Sequence, residues 1–325
     1  LRMSGLLDDD YLAAKYRDGR TPWPQVLRAY ARRLRDLPSL CRGADLLWVE
    51  KELWPWAPAW LERLALRGRP LVLDFDDAIF HLYDQHPRPL VRRLWGRKID
   101  RLMRRADLVT AGNDYLAERA RQAGARHVEW LPTVVDLDRY PPLRPRPTDR
   151  PGPCRIVWIG SPSTVHYLRE VEVALGRLAS RRAIELTVIG AQIELPGVPL
   201  RCEGWTEAGE AAAIAAADIG IMPLPDSPWE RGKCGYKLIQ YMACGLPVVA
   251  SPVGVNRRIV ENGVNGFLDD DAQAWIDRLE WLVDHGPERL AMGAQGRQQV
   301  ERTYSLQANA PRLAGWLQEL ARPPR

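Results

Sequence analysis

The sequence lacks a long apolar run. No hydrophobic stretch approaches the roughly 18–20 residues that a helix needs to cross a bilayer, and no charged-then-apolar signal segment opens the chain. We therefore expect a cytoplasmic protein.

Cysteine is also scarce. The five cysteines are scattered and odd in number, and no two have the Cys-x-x-Cys spacing of a zinc site. This pattern disfavours a disulfide framework and favours reduced thiols. We expect no bound metal.

The composition is that of a globular protein, with 46% hydrophobic and 27% charged residues. Its 325 residues exceed what one hydrophobic core usually supports, so two domains are expected. The net charge of +5 is mild, and its arginine-rich basis favours recognition of phosphates or anionic surfaces. No nucleic-acid recognition motif accompanies this charge, so we expect no nucleic-acid partner.

Short β-branched runs alternate with amphipathic stretches in both halves. Strands are predicted at 46–50, 71–75, 108–111 and 128–131, then at 155–159, 185–189, 219–222 and 247–251. First-half helices are predicted near 57–68, 89–105 and 113–123. This alternation predicts an α/β fold with a mostly parallel sheet in each half.

Six prolines crowd residues 140–153, which can continue neither a helix nor a central strand. We therefore predict a first domain at 1–140, a linker at 141–153, a second domain at 154–305 and a C-terminal helix at 306–325 that returns toward the first domain. No strand with a glycine loop is predicted before 46–50, although domains of this kind normally open with one. The first domain is thus expected to lack its opening strand.

The segment from Pro223 to Ser251 is the most informative. It predicts a strand, a polar loop with Gly232 and Gly235, a helix and another strand. Glycines before a helix let backbone N–H groups approach an anion, and the helix N-terminus adds partial positive charge. Any strand–glycine–helix junction shares these features, so the loop alone does not distinguish a phosphate site from a structural turn.

Further loops strengthen the phosphate interpretation. The predicted strand at 155–159 runs into a small-residue loop, and glycine turns follow at 253–256 and 261–267. Ligands of open α/β sheets bind at the carboxyl ends of strands, where we expect these loops to converge.

Residues 155–305 resemble the donor domain of glycosyltransferase family 4, the retaining group 1 glycosyltransferases of the GT-B fold. The specific matches are Lys237-Leu-Ile-Gln-Tyr-Met-Ala-Cys-Gly-Leu-Pro-Val-Val-Ala-Ser251, Val253-Gly-Val-Asn256, Asn265-Gly-Phe-Leu268 and Ala215-Ala-Ala-Asp-Ile-Gly-Ile-Met-Pro-Leu224. The first half matches more loosely, at 106–119 and 131–140. The resemblance implies two Rossmann-like domains facing a cleft, a nucleoside-diphosphate sugar as co-substrate on the second and an acceptor on the first, with no cofactor and no obligatory metal.

The resemblance implies that Lys237 contacts the diphosphate, that the loop from Gly232 to Tyr236 supplies backbone hydrogen-bond donors, and that the residue at position 240 contacts the ribose. The implied donor-binding residues are Gly160, Ser161, Ser163, Thr164, Glu230, Arg231, Gly232, Lys233, Cys234, Gly235, Tyr236, Lys237, Leu238 and Gln240.

The chain departs from the family at several positions. Gly232 and Gln240 stand where members usually carry a pair of glutamates, and Glu230 is offset by two residues. A glutamine still donates and accepts a hydrogen bond, but it carries no charge. The basic residues of the first donor loop are replaced by 161–166, and Arg258 stands where glutamate is more usual. These changes predict either a divergent subfamily or a weakened enzyme.

The predicted strand at 71–75 is followed by carboxylates. We hypothesise that Asp76 or Asp77 orients or deprotonates the acceptor hydroxyl, with Asp74 and His81 nearby. The alternative is that these carboxylates cap the next helix or pair with arginines.

Two stretches suggest contact with an anionic membrane at its inner face. The segment from Trp48 to Trp60 contains four tryptophans, and 88–105 holds eight basic residues against one acid. Val91, Trp95, Ile99 and Leu102 form an apolar stripe in the second stretch, for which packing into the core is the alternative.

The resemblance therefore predicts a retaining, metal-independent glycosyltransferase that moves a sugar to an acceptor in the synthesis of a surface polysaccharide or glycolipid. A lipid-linked molecule is one candidate for that acceptor. One alternative is a non-catalytic subunit that binds a sugar nucleotide and acts through a partner. Another is an epimerase or phosphorylase with the same fold. No motif identifies the sugar or the base.

Overall fold

The computed structural model describes residues 2–7, 11, 14, 22–140 and 152–322, so most of the predicted linker lies outside the described residues. The chain divides into two compact units. The first comprises Leu1–Leu131 and Ala314–Arg325, and the second comprises Pro132–Leu313. The division comes ahead of the predicted linker because 132–140 pairs within the second unit, where Val135 and Leu306 are joined by a 2.8 Å backbone hydrogen bond.

The first unit is a four-stranded parallel sheet with helices between its strands. Its strands are β1 (Leu47–Glu50), β2 (Leu71–Phe75), β3 (Leu108–Ala111) and β4 (Val128–Trp130), in that spatial order. Its helices are α1 (Trp23–Cys41), α2 (Ala59–Ala65), α3 (His81–Asp84), α4 (Pro89–Trp95), α5 (Lys98–Arg105) and α6 (Asp114–Gln122). The described residues ahead of β1 contain no strand.

The core of the first unit forms around β2 and β3. Both are central strands covered on two faces, which is why they read as nearly continuous apolar runs. The α6 helix begins where the Asn113 side chain accepts a hydrogen bond from Leu116 N at 2.9 Å.

The helix predicted at 89–105 is wrong as one element, because it breaks between α4 and α5. Gly96 ends α4, and Arg97 leaves the helical region with φ −109° and ψ 16°. The predicted apolar stripe divides with it. Ile99 and Leu102 on α5 are buried in the core, whereas no side chain of α4 is buried.

The second unit is a six-stranded parallel sheet in the order β10-β9-β8-β5-β6-β7. Its strands are β5 (Cys154–Ile159), β6 (Ile184–Ile189), β7 (Leu200–Glu203), β8 (Ile219–Met222), β9 (Val248–Ala250) and β10 (Gly266–Leu268). Its helices are α7 (Glu172–Ala179), α8 (Glu210–Ala215), α9 (Pro228–Arg231), α10 (Tyr236–Ala243), α11 (Asn256–Ile259), α12 (Ala272–Asp284), α13 (Gly286–Thr303) and α14 (Leu306–Ala321), which continues into the first unit.

The chain order reverses at β5 in this sheet. From β5 the chain proceeds through β6 to β7 on one side, and then returns to β8, β9 and β10 on the other. In open α/β sheets, ligands bind outside the carboxyl ends of the strands at such a reversal. The loops that follow β5 and β8 therefore occupy the position expected of a ligand site.

Close packing of α10 on β8 fixes the helix that follows the second of these loops. A Cβ atom at Gly220 would overlap the ring of Tyr241 on α10. The Tyr241 hydroxyl in turn accepts a 3.0 Å hydrogen bond from Ile159 N at the end of β5. Tyr241 thus ties α10 to both strands of the reversal.

Candidate functional site

The loop after β5 is a closed, hydroxyl-rich turn. Ser161 O accepts from Thr164 N at 3.0 Å, and the hydroxyls of Ser161 and Ser163 lie 2.7 Å apart. A side chain at Gly160 would overlap the indole of Trp158. The structure therefore presents Ser161, Ser163 and Thr164 together at the reversal.

The loop after β8 is anchored by Glu230, which is 8% exposed. Its carboxylate accepts hydrogen bonds from the Tyr167 hydroxyl at 2.5 Å and from the Ser227 hydroxyl. Tyr167 belongs to the 3₁₀ helix Val165–Val171 that follows the first loop. Glu230, predicted as a donor-binding residue, thus joins the two loops through its side chain.

Gly235 sits immediately before α10 with φ +69°, in the left-handed region that favours glycine. A Cβ atom there would overlap Cδ1 of the buried Ile259 and crowd Val255. Only glycine therefore fits between α11 and the start of α10. The first N–H groups of α10, which have no partner within the helix, are consequently directed from a fixed position.

Two lysines lie beside aromatic rings that flank the first loop. Lys237 Nζ is 5.3 Å from the ring centroid of Trp158, and Lys233 Nζ is 5.9 Å from that of Tyr167. Attraction between an ammonium and an aromatic face acts at these distances. The structure thus brings both predicted lysines to the 160–167 segment, whereas Arg231 is paired with Asp226 at 2.6 Å.

Three predicted donor-binding residues have side chains that face different surroundings. Leu238 is fully buried in the core and Cys234 is buried with its thiol toward Gly232 O. A bound nucleotide sugar would therefore contact these two residues through their backbones and not through their side chains. Tyr236 is 40% exposed.

Gln240 is 2% exposed and donates from Nε2 to the Tyr140 hydroxyl at 3.2 Å. That hydroxyl donates to Glu210 Oε1 at 2.8 Å, and Glu210 Oε2 accepts from Trp205 Nε1 at 2.7 Å. Burial and the adjacent Glu210 carboxylate raise the pKa of Tyr140 well above its usual range. Tyr140 and Glu210, which the sequence did not single out, are therefore direct partners of a predicted site residue.

The carboxylates after β2 occupy distinct environments in the first unit. Asp76 pairs with Lys51 Nζ at 2.8 Å, so its partner is a lysine and not the arginine that the alternative anticipated. Burial would lower the pKa of Lys51, but Asp76 and Asp77 raise it to about 12. The helix that follows begins after Phe80 without a side-chain cap.

Asp74 is largely buried and accepts from Thr110 Oγ1 at 2.6 Å. Burial raises the pKa of Asp74 to about 6. His81 is held on both ring nitrogens, by Asp84 and by the Tyr115 hydroxyl, each at 2.7 Å.

In the described part of the chain, no group of three or more histidine, cysteine, aspartate or glutamate side chains is arranged to hold a metal ion. Across the same residues, no helix is both long enough and apolar enough to span a bilayer.

Residues 154–285 match the family model described as "Glycosyl transferases group 1". This segment contains all six strands of the second sheet and both loops at the reversal.

Similar curated proteins are named as glycosyltransferases. One D-inositol 3-phosphate glycosyltransferase, from Pseudarthrobacter chlorophenolicus, is 32% identical over 37% of this chain and 28% of its own length. Another, from Corynebacterium jeikeium, is 26% identical over 84% of this chain and 69% of its own length. The first of these matches thus spans little more than a quarter of the relative.

Solved structures confirm the fold. Anabaena HepE, crystallised with UDP and glucose, superposes with a TM-score of 0.68 at 17% identity, over 88% of this chain and 81% of its own. The predicted α/β architecture of two Rossmann-like units, as in the GT-B fold, is therefore confirmed.

Proposed function

We propose that this protein is a retaining glycosyltransferase, which takes a sugar from a nucleoside-diphosphate sugar on the second unit and transfers it to an acceptor bound by the first. The observation that carries the proposal is the convergence at the strand reversal of a hydroxyl-rich turn, a glycine-constrained helix start and two lysines. A diphosphate needs these groups: cations, hydroxyl donors and directed backbone N–H groups.

In the proposed site, Lys237 neutralises charge on the diphosphate and is the catalytic residue on the donor side. The backbone N–H groups of Gly232 and Lys233 donate to Trp229 O and Glu230 O, so those of Gly235 and Tyr236 are the ones that donate to the phosphate oxygens. Gln240 meets the ribose. We propose that transfer requires no metal and no cofactor. Full activity in the presence of a chelator is the expected result.

The relatives support a choice of first substrates. HepE was crystallised with UDP, which favours a uridine nucleotide. The relatives named for D-inositol 3-phosphate favour a polyhydroxylated acceptor. We further propose that the product is a surface polysaccharide or a glycolipid.

On the acceptor side, we propose that Asp76 or Asp77 orients or deprotonates the attacking hydroxyl. The Lys51 ammonium pairs with Asp76 at 2.8 Å and fixes the position of that carboxylate. Unchanged turnover in Asp77→Asn would exclude Asp77 as the base and leave Asp76.

The proposal is tested by thermal denaturation with UDP, GDP, ADP and CMP. A nucleotide at about a hundred times its dissociation constant adds about 2.7 kcal/mol to the stability of the folded state. We expect one nucleotide to stabilise the wild type and not Lys237→Ala. Arg182→Ala, which removes an exposed ion pair with Asp284 elsewhere on the second unit, serves as the control and should respond like the wild type. Stabilisation by none of the four would contradict the proposed donor site.

A second candidate is a non-catalytic subunit that binds a sugar nucleotide. The observation in its favour is that Glu230 and Gln240 both hydrogen-bond within the protein. Slow donor hydrolysis without an acceptor, abolished in Lys237→Ala, would support the enzyme. Binding without hydrolysis or transfer would support the subunit.

The first unit also offers a surface suited to an anionic membrane. No residue of α4 is buried, and Leu90 and Leu94 are 66% and 53% exposed one turn apart, among exposed Arg88, Arg92 and Arg93. Apolar side chains flanked by arginines favour peripheral binding to acidic lipids. We expect co-sedimentation with anionic liposomes at low salt, reduced by Leu90→Ser with Leu94→Ser; no co-sedimentation of the wild type would exclude membrane contact.

A further inference from the structure

The contacts around Tyr140 determine which end of the Gln240 amide faces it. A carboxylate only accepts hydrogen bonds, so the Tyr140 hydroxyl must give its single proton to Glu210, 2.8 Å away. The Tyr140 oxygen can then act only as an acceptor toward Gln240. The amide must therefore present its NH₂ group, which lies 3.2 Å from that oxygen.

This arrangement leaves the carbonyl end of the amide for another partner. Within the described part of the chain, Gln240 Oε1 accepts no hydrogen bond. Gln240 lies on α10, one turn after Lys237, on the helix whose start faces the strand reversal.

Tyr140, which orients the Gln240 amide, is itself held in place by its neighbours. Tyr140 and Glu210 are 2% and 7% exposed, and Trp205 Nε1 occupies the second carboxylate oxygen at 2.7 Å. Arg297 donates to Tyr140 O at 2.8 Å and to Ala243 O at the end of α10.

We propose that Tyr140, backed by Glu210, is a positioning residue that orients the Gln240 amide so that Oε1 accepts a hydrogen bond from a ribose hydroxyl of the bound nucleotide. The inference rests on the proposed donor site. It also explains the glutamine: a glutamate at 240 would face a hydroxyl oxygen whose proton is already committed to Glu210, so two carboxylates would compete for one proton.

The first test compares the affinities of UDP and 2′,3′-dideoxy-UDP. In the wild type we expect a loss of about tenfold for the dideoxy analogue, as for one hydrogen bond. In Tyr140→Phe the amide is no longer oriented, and the ratio should fall to about one- to twofold. Tyr83→Phe, which removes a different buried hydroxyl that donates to Glu52 in the first unit, should keep the wild-type ratio. An undiminished ratio in Tyr140→Phe would overturn the proposal.

A second test does not depend on nucleotide binding. Gln240→Glu should lower the melting temperature by several degrees in the wild-type background and by clearly less in Glu210→Gln, because the Tyr140 hydroxyl can then give its proton to the new carboxylate. Equal losses in both backgrounds would refute the orientation of the amide. If the two losses differ but the wild type does not distinguish UDP from its dideoxy analogue, the orientation stands and the ribose contact fails. If no nucleotide binds at all, the proposed function fails with it.

Discussion

Replacing Gly235 by alanine should damage both the fold and the donor site. The position has φ +69°, which is unfavourable for alanine by about 1–2 kcal/mol. The added methyl group would also overlap Ile259 Cδ1, which is fully buried and cannot move into solvent. Overpacking of this kind typically costs about 1–3 kcal/mol. We therefore expect Gly235→Ala to lose about 2–5 kcal/mol of unfolding free energy.

Gly263 provides a matched control. Its φ is +76°, but a Cβ atom there meets nothing within 4 Å. Gly263→Ala should therefore show the backbone penalty alone, about 1–2 kcal/mol. The difference between the two variants measures the clash with Ile259.

The two contributions can be separated by urea denaturation of the single and double variants. Ile259→Val removes the methyl group that is struck, so Gly235→Ala should cost less in that background than in the wild type. Nucleotide affinity should fall in Gly235→Ala, because the helix start must shift, and stay unchanged in Gly263→Ala. Equal stability losses for the two glycine variants, with no relief from Ile259→Val, would refute the steric argument.

Two further predictions concern the first unit. Lys98 is 1% exposed and pairs with Glu52 and Glu62. Lys98→Met should therefore lose about 3–5 kcal/mol of unfolding free energy, measured by urea denaturation, because it leaves two buried carboxylates without a cation. Adding Glu52→Gln and Glu62→Gln should recover part of this loss. Little loss in Lys98→Met would show that the cluster is not charged as drawn. Asp74, with its pKa raised by burial to about 6 against about 3.9 when unfolded, keeps its proton in the folded state while the unfolded chain loses it. Stability should therefore fall as pH rises from about 4 to 6, by at most about 1.4 kcal/mol per pH unit from this group, and then level off. Asp74→Asn should remove that slope in denaturation curves measured across this range, and an unaltered slope would exclude Asp74 as its source.

The central strands were predictable because burial on both faces leaves a continuous apolar run. β2, β3 and β8 lie at their predicted bounds. The strands that were missed are peripheral. β7 is an edge strand with no fully buried residue. β10 has three residues, two of which lie in a segment interpreted as a glycine turn. Their pairing depends on neighbours that local sequence does not reveal.

The candidate site also has a part that local sequence predicts and a part that it does not. Glycines and lysines beside a helix start are local signals, and from them the sequence predicts a donor-binding loop. The partners of Glu230 and Gln240 are Tyr167 and Tyr140, which lie 63 and 100 residues away in the chain. Contacts at that separation exist only once the sheet has assembled, and a tyrosine carries no sequence signal of the carboxylate that it will meet.

The glutamine at position 240 shows why this distinction affects the functional conclusion. From sequence alone, the exchange of a glutamate for its neutral amide suggests that a side chain that binds the ribose has been lost. That interpretation favours the weakened-enzyme alternative. In the structure the amide faces a hydroxyl that has already given its proton to Glu210, and there only a donor fits. Gln240 supplies that donor and keeps a carbonyl oxygen, the same type of acceptor atom that a glutamate offers. The exchange is thus matched to Tyr140 and Glu210, and it counts against the enzyme only if variants of those two residues leave ribose discrimination unchanged.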